Sequence, residues 1–133
     1  MDASIEIWDR ELASFKAGLQ EREIRIQKCE ECGEVRWPPR PACFECGTIG
    51  GDWQEVRGAG ELFTWTVVWR SRLPGFADQV PYVVGIIALE DEPVRMIGRV
   101  LSPGPEDLAA GMSLVAEFVE EEGNVTAVAW RGV

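Results

Sequence analysis

The sequence predicts a mainly β chain in three successive parts: a helix within residues 1–22, a small ribbon over 23–53, and a five-stranded barrel over 54–133. Three observations carry that expectation. The only four cysteines fall in two Cys-x-x-Cys-Gly segments, 29–33 and 43–47. Beyond residue 54, five segments read as strands, most of them alternating apolar and polar side chains with a period of two. Before the cysteines, one segment repeats at helical spacing instead.

That first segment is 4–20, where Ile5, Trp8, Leu12, Phe15 and Leu19 recur at intervals of three and four. The spacing makes one apolar stripe on an amphipathic helix, with Ser4 as the expected N-cap. A stripe bearing Trp and Phe needs cover, either from the rest of the chain or from a partner subunit.

A Cys-x-x-Cys turn lets both sulfurs point at one ion, and the glycine after it permits positive φ, so that backbone amides face the thiolates. Two such knuckles make a tetrahedral four-thiolate site. The ten residues between Cys32 and Cys43 leave room for a strand, a turn and a return. Disulfides within Cys-x-x-Cys are strained and redox-active, and the acidic, polar N-terminus carries no secretory signal. The expectation is therefore a structural metal on Cys29, Cys32, Cys43 and Cys46, zinc in preference to rubredoxin-type iron. A closed four-cysteine set keeps no position open for catalysis. Strands at 23–28, with Ile24 and Ile26 against Arg25 and Lys28, and at 34–37 complete a rubredoxin-like zinc ribbon, and Pro38-Pro39 end the pairing.

In 60–70, Phe63, Trp65, Val67 and Trp69 form one face, read as barrel core, and Leu62, Thr64, Thr66 and Val68 form the other. Residues 81–89 are apolar on both faces, as for a strand covered on two sides. In 94–101, Val94, Met96, Gly98 and Val100 oppose Arg95, Ile97 and Arg99. Residues 112–120 alternate through Leu114, Ala116 and Phe118, and the turn Glu121-Glu122-Gly123-Asn124 leads into 125–131. Pro105–Gly111 reads as a helix of one or two turns, proline at its start and glycine at its end. Five strands with a small helix between the third and fourth follow the order of an OB-fold barrel.

Composition narrows the function. The net charge is −10, with 7 basic and 11 acidic residues in 1–53 and 6 and 12 in 54–133. Neither part offers the cationic surface on which nucleic-acid binding rests. No apolar run approaches the ~20 residues of a membrane span. There is no histidine, the two lysines are Lys16 and Lys28, and the one tyrosine is Tyr82. The runs Glu90-Asp91-Glu92 and Glu120-Glu121-Glu122 read as solvated turn tips. With every thiol assigned to metal, no catalytic residue is expected in this chain.

Taken together, these segments resemble the zinc-ribbon/OB-fold family of acyl-CoA-associated proteins that accompany thiolase-like enzymes, long catalogued as a domain of unknown function. The resemblance covers nearly the whole chain. It is carried by Trp8 on the helix, Ile24-x-Ile26-x-Lys28-Cys29-x-x-Cys32-Gly33, and Arg36-Trp37-Pro38-Pro39-Arg40-Pro41-x-Cys43-x-x-Cys46-Gly47. It continues through Gly58-x-Gly60-x-Leu62-x-Thr64-Trp65-Thr66-Val67-Val68, Pro74-Gly75-Phe76, Pro81-Tyr82-Val83-Val84 and Pro105-Glu106-Asp107-Leu108-x-x-Gly111-Met112. It implies a non-catalytic accessory subunit that stabilises a thiolase-fold partner and helps form its acyl-CoA site. Such proteins accompany sterol-carrier-type thiolases, archaeal hydroxymethylglutaryl-CoA synthase, and the lipid-transfer-protein-like aldolase of bacterial steroid (cholesterol) side-chain degradation. In that last setting the module is similar to the C-terminal domain of a hydratase subunit, and the chain is either a free-standing protein or such a domain. An α2β2 assembly in the cytoplasm is the matching expectation.

Within this frame Arg70, Arg72 and Phe76, in the loop after the first barrel strand, are the expected contacts to acyl-CoA or the partner, because that loop commonly meets ligands in OB-folds. The opposing reading is a solvated surface loop. Trp37, between Arg36 and Arg40, is read as buried against the barrel, with adenine stacking as the alternative. The competing function from another class is a nucleic-acid-binding OB/zinc-ribbon protein, which the aromatics permit and the charge opposes. A rubredoxin-like electron carrier is the third.

Overall fold

The structure, a computed structural model, describes the backbone of residues 3–133 and the side chains from residue 11 onward. Helix α1 spans Ala3–Gln20. The expected cap Ser4 and the stripe residues Ile5 and Trp8 lie outside the described side chains. Of the rest, Phe15 and Leu19 are covered by the chain itself, while Leu12 is half-exposed. The Phe15 ring lies 4.7 Å from that of Trp37, and Leu19 is buried. Gln20 exchanges two hydrogen bonds with the backbone of Val125, and Arg22 pairs with Glu120. The described half of the helix is thereby tied to both β units.

The ribbon is a three-stranded antiparallel sheet of β1 (Ile24–Lys28), β2 (Val35–Arg36) and β3 (Asp52–Val56), with β1 in the centre. β3 is an unanticipated strand. Its sequence, Asp52-Trp53-Gln54-Glu55-Val56, has no apolar alternation, and it is held by pairing along all of β1, from Ile24↔Val56 to Lys28↔Asp52.

Past Arg57-Gly58 the chain enters a closed barrel of β4 (Ala59–Val68), β5 (Tyr82–Leu89), β6 (Arg95–Ser102), β7 (Ser113–Glu121) and β8 (Asn124–Gly132). The order around it is β4-β5-β6-β8-β7, and only the β6–β8 pair is parallel. This is the OB-fold connectivity expected from the sequence. The element between β6 and β7 is a single 3-10 turn, Pro105–Asp107, at the short end of the expected range.

One core joins the two β units: Ile24, Ile26, Val35 and Val56 of the ribbon cluster with Leu62, Ile87, Met96, Leu114 and Trp130 of the barrel. Inside the barrel Gly85 stands opposite Gly98. The room these glycines leave is filled by the buried Trp130 and Leu62. A methyl at Gly98 would sit 2.6 Å from Trp130 Cδ1, and one at Gly85 2.9 Å from Leu62 Cδ1.

The expected faces of β4 need correction. The register slips between Leu62 and Thr64, a bulge that turns Phe63 outward and places Leu62 in the core together with Trp65 and Val67 beyond it. Phe63 is 50% exposed, and Trp69, past the strand's end, is 65% exposed. The Trp65/Trp69 face therefore divides between core and surface. β5 likewise is covered on one side only: Val83, Ile87 and Leu89 are buried, while Val84, Ile86 and Ala88 are half-exposed on the outside.

The turn tips also do more than carry charge in solvent. Asp91 accepts hydrogen bonds from the backbone N–H and the Nε of Arg57, at 2.9 and 3.0 Å, and Glu92 accepts one from Gln54. The β5–β6 turn thus holds the junction between ribbon and barrel.

Candidate functional site

The four cysteine sulfurs converge at the tip of the ribbon, all within 4.8 Å of one another. Tetrahedral zinc with bonds of about 2.3 Å requires sulfur–sulfur edges of about 3.8 Å, and the Cys29–Cys46 and Cys32–Cys43 pairs each stand at 3.6 Å. Both knuckles are built the same way. Gly33 N–H donates to the Cys29 carbonyl and Gly47 N–H to that of Cys43, with φ of 76° and 79° at the glycines. Each contributes one buried cysteine, Cys29 or Cys43, and one exposed, Cys32 or Cys46.

Four thiols this close cannot all ionise without a cation among them. Backbone N–H groups of Cys32 and Glu31 bring the Cys29 thiol down to about 6. At Cys32 the Glu34 amide acts downward, but partial loss of hydration around the sulfur and the neighbouring thiols outweigh it and push that thiol up to about 12. Thr48, whose Oγ1 lies 3.1 Å from the Cys46 sulfur, lowers Cys46. A dication removes the conflict by stabilising every thiolate at once.

Beside this tip Arg36 is buried, not a surface cation flanking Trp37. Its Nε donates to Gln27 Oε1 at 3.0 Å, and its Nη2 donates to the carbonyls of Arg40 and Gly50 at 3.0 and 2.7 Å. Gln27 Oε1 also accepts from the Arg40 N–H at 2.7 Å. Arg40 and Gly50 bracket the second knuckle, so one guanidinium ties that knuckle to the sheet. The burial was invisible in the sequence, where Arg36 reads as one of several charges in a proline-rich turn. Trp37 is half-buried against Phe15 and the common core, as the burial reading expects.

Arg70, Arg72 and Phe76 all lie exposed in the β4–β5 loop. The structure brings Phe76 within 5.9 Å of the Tyr82 ring, measured between centroids, while neither arginine has an ion-pair partner among the described residues. Arg99, which sequence reasoning passed over, lies 5.0 Å over the Tyr82 ring and hydrogen-bonds Gln79 of the same loop. Its position on the outward side of β6 was the available signal.

The family model described as "ChsH2, rubredoxin-like zinc ribbon domain" matches residues 16–48, and "ChsH2, C-terminal OB-fold domain" matches residues 53–119. The chain belongs to the ChsH2 (DUF35) family. The ribbon of a ChsH2-type chain is a structural zinc centre, and these four thiols fit it. A DUF35 domain-containing scaffold protein of Methanocaldococcus jannaschii is 35% identical over 101 residues, covering 73% of this chain and 70% of that protein. The 3-oxo-4,17-pregnadiene-20-carboxyl-CoA hydratase alpha subunit of Mycobacterium tuberculosis is 32% identical over 111 residues, or 84% of this chain. The chain spans 34–38% of the length of the hydratase alpha subunits it matches. Among solved structures, a chain of the "Ltp2-ChsH2(DUF35) aldolase" superposes with a TM-score of 0.83 at 28% identity, covering 92% of this chain and 94% of that one. No described helix is long and apolar enough to cross a membrane.

Proposed function

We propose that this chain is a non-catalytic accessory subunit of a thiolase-fold acyl-CoA enzyme, stabilising its partner and helping to form the acyl-CoA site. The observation that carries the reading is the likeness, over nearly its whole length, to the ChsH2 chain of an aldolase complex. The chemistry agrees. Retro-aldol and Claisen reactions need a base and a group to stabilise an enolate, and this chain has no histidine, while its barrel has neither cysteine nor lysine.

In the finer reading the partner is a lipid-transfer-protein-like aldolase of steroid side-chain degradation, joined in a cytoplasmic α2β2 assembly. The pregnadiene-carboxyl-CoA name of the M. tuberculosis relative supports that choice. Cys29, Cys32, Cys43 and Cys46 bind one zinc ion, whose role is to hold the ribbon rigid. Arg70, Arg72 and Phe76 reach toward acyl-CoA or the partner's surface.

The test is reconstitution with an Ltp2-type aldolase subunit from the same source organism, the class of protein named in the similar aldolase complex. The two are expected to co-purify, and the pair to cleave a steroid side-chain hydroxyacyl-CoA to propionyl-CoA while this chain alone does not. Turnover by this chain alone, or failure of the two to associate, overturns the reading. Arg72→Ala is expected to raise the KM of the pair for acyl-CoA, and an unchanged KM removes the loop from the site.

A further inference from the structure

The outer surface of β4, β5 and β6 has features that neither the metal centre nor the 70–76 loop explains. Ile97 of β6 is 72% exposed and stands in register beside Ile86 of β5. Phe63, turned out by the β4 bulge, and Val84 extend the apolar area on either side. Exposed large apolar side chains clustered on one sheet face mark contact surfaces rather than solvent faces.

Two arginines frame this area. The Arg95 guanidinium lies 3.9 Å over the Phe63 ring, and that of Arg99 lies 5.0 Å over the Tyr82 ring. Stacking on a ring holds a guanidinium flat with its N–H edge outward; Arg99 gives one Nη1 hydrogen bond to Gln79, and its remaining donors, like those of Arg95, can meet a carboxylate. Neither arginine forms an ion pair among the described residues, although the chain carries a net charge of −10. By contrast Arg57 pairs with Glu90 and Asp91, and Arg131 with Glu117. β5 and β6 contain no acidic residue at all. Glu61 of β4 is the carboxylate on this face, and it forms no ion pair with either arginine among the described residues.

We infer that the outer β4–β5–β6 face is a docking surface for a protein whose own surface has an apolar centre flanked by carboxylates that meet Arg95 and Arg99. The inference rests on the accessory-subunit reading and names the surface that reading leaves unassigned: the occupant is the thiolase-like partner. Arg95 and Arg99 are four residues apart on one strand, about 13 Å, too far to grip one phosphate group, and Ile97 lies between them. A second copy of this chain is a poor occupant, because an isologous contact would set unpaired arginines against each other.

The experiment measures affinity for an Ltp2-type aldolase subunit from the same source organism, by titration calorimetry at two salt concentrations. Ile97→Glu, Arg99→Glu and, on β7, Val115→Glu are compared with the unmodified chain after zinc content and melting temperature have been matched. Ile97→Glu is expected to weaken binding at least about tenfold. Arg99→Glu is expected to weaken it several-fold and to flatten its salt dependence, and Val115→Glu to leave it unchanged. Binding that survives both face substitutions, or falls only with Val115→Glu, overturns this surface and leaves the accessory role standing. No binding by the unmodified chain overturns both. If Ile97→Glu turns a sedimenting dimer of this chain into a monomer while partner binding persists, the face is a self-contact and the inference is wrong.

Discussion

Replacing Gly98 with alanine is expected to destabilise the fold through one ring. Gly98 faces the barrel interior opposite Gly85, and an added methyl would lie 2.6 Å from Trp130 Cδ1 and 2.7 Å from its Nε1. Trp130 is only 1% exposed. It has no solvent to retreat into, so the ring must leave its rotamer or β6 must move outward. Overpacking of this kind costs about 1–3 kcal/mol. Against it stands a gain of about 0.4–1 kcal/mol, because alanine restricts the unfolded chain. The net expectation is a loss of about 1–2 kcal/mol. Urea unfolding of the zinc-loaded protein reads this as a lower midpoint at unchanged slope. Gly104→Ala, where an added methyl meets nothing within 4 Å, is the matched control and should stay within about 0.5 kcal/mol of the parent. In a Trp130→Phe background the smaller ring makes room, so most of the Gly98→Ala penalty should vanish. A midpoint untouched by Gly98→Ala, or a penalty equally large in both backgrounds, refutes the reasoning.

Other outcomes follow from the same geometry. Cys43→Ser should abolish stoichiometric zinc in metal analysis, and in the unmodified protein zinc should be released on acidification, because protons compete for the thiolates; a zinc content unaffected by the substitution would exclude the four-cysteine site. Arg36→Met should cost about 3 kcal/mol in urea unfolding, because it strips charge-assisted hydrogen bonds from two carbonyls beside the second knuckle. It should also weaken zinc binding in a chelator competition. Asp91 is held below its ordinary carboxylate value first by the Arg57 backbone N–H and then by the Arg57 side chain. Its contribution is therefore present above the unfolded-state value of about 3.9 and is lost as pH falls through the lower folded value. Asp91→Asn should lower the melting temperature at neutral pH and flatten the acid limb of a melting-temperature profile, and an unchanged limb would count against the clamp.

The zinc knuckles and the barrel order were legible because each depends on local signals: cysteine spacing with a following glycine, and the length and order of alternating segments. What escaped the sequence depends on pairing across the chain. The bulge after Leu62 puts Leu62 rather than Phe63 on the inward face while Trp65 and Val67 stay there, and nothing in Leu62-Phe63-Thr64 announces it, since the slip is set by the register against β5. β3 has no apolar rhythm of its own and owes its strand form to β1. Arg36 looked like a surface cation because its acceptors, Gln27, Arg40 and Gly50, come from three separate stretches of the chain. Asp91 read as one acid among three until the turn was seen against Arg57. At the candidate loop, residue type identified Arg70, Arg72 and Phe76, whereas the stacked arginines on β6 became visible only once Phe63 and Tyr82 had been placed beneath them.

The way the barrel closes has a consequence for how the molecule is made. β8 is inserted between β6 and β7, so no complete ring of strands exists until β8 has emerged from the ribosome. The ribbon strands, by contrast, all lie within Ile24–Val56. Its short-range contacts can assemble, and capture their ion, while most of the barrel is still being synthesised. The zinc-bound knuckle then fixes Ile24, Ile26, Val35 and Val56 as the surface on which the later strands complete the shared core.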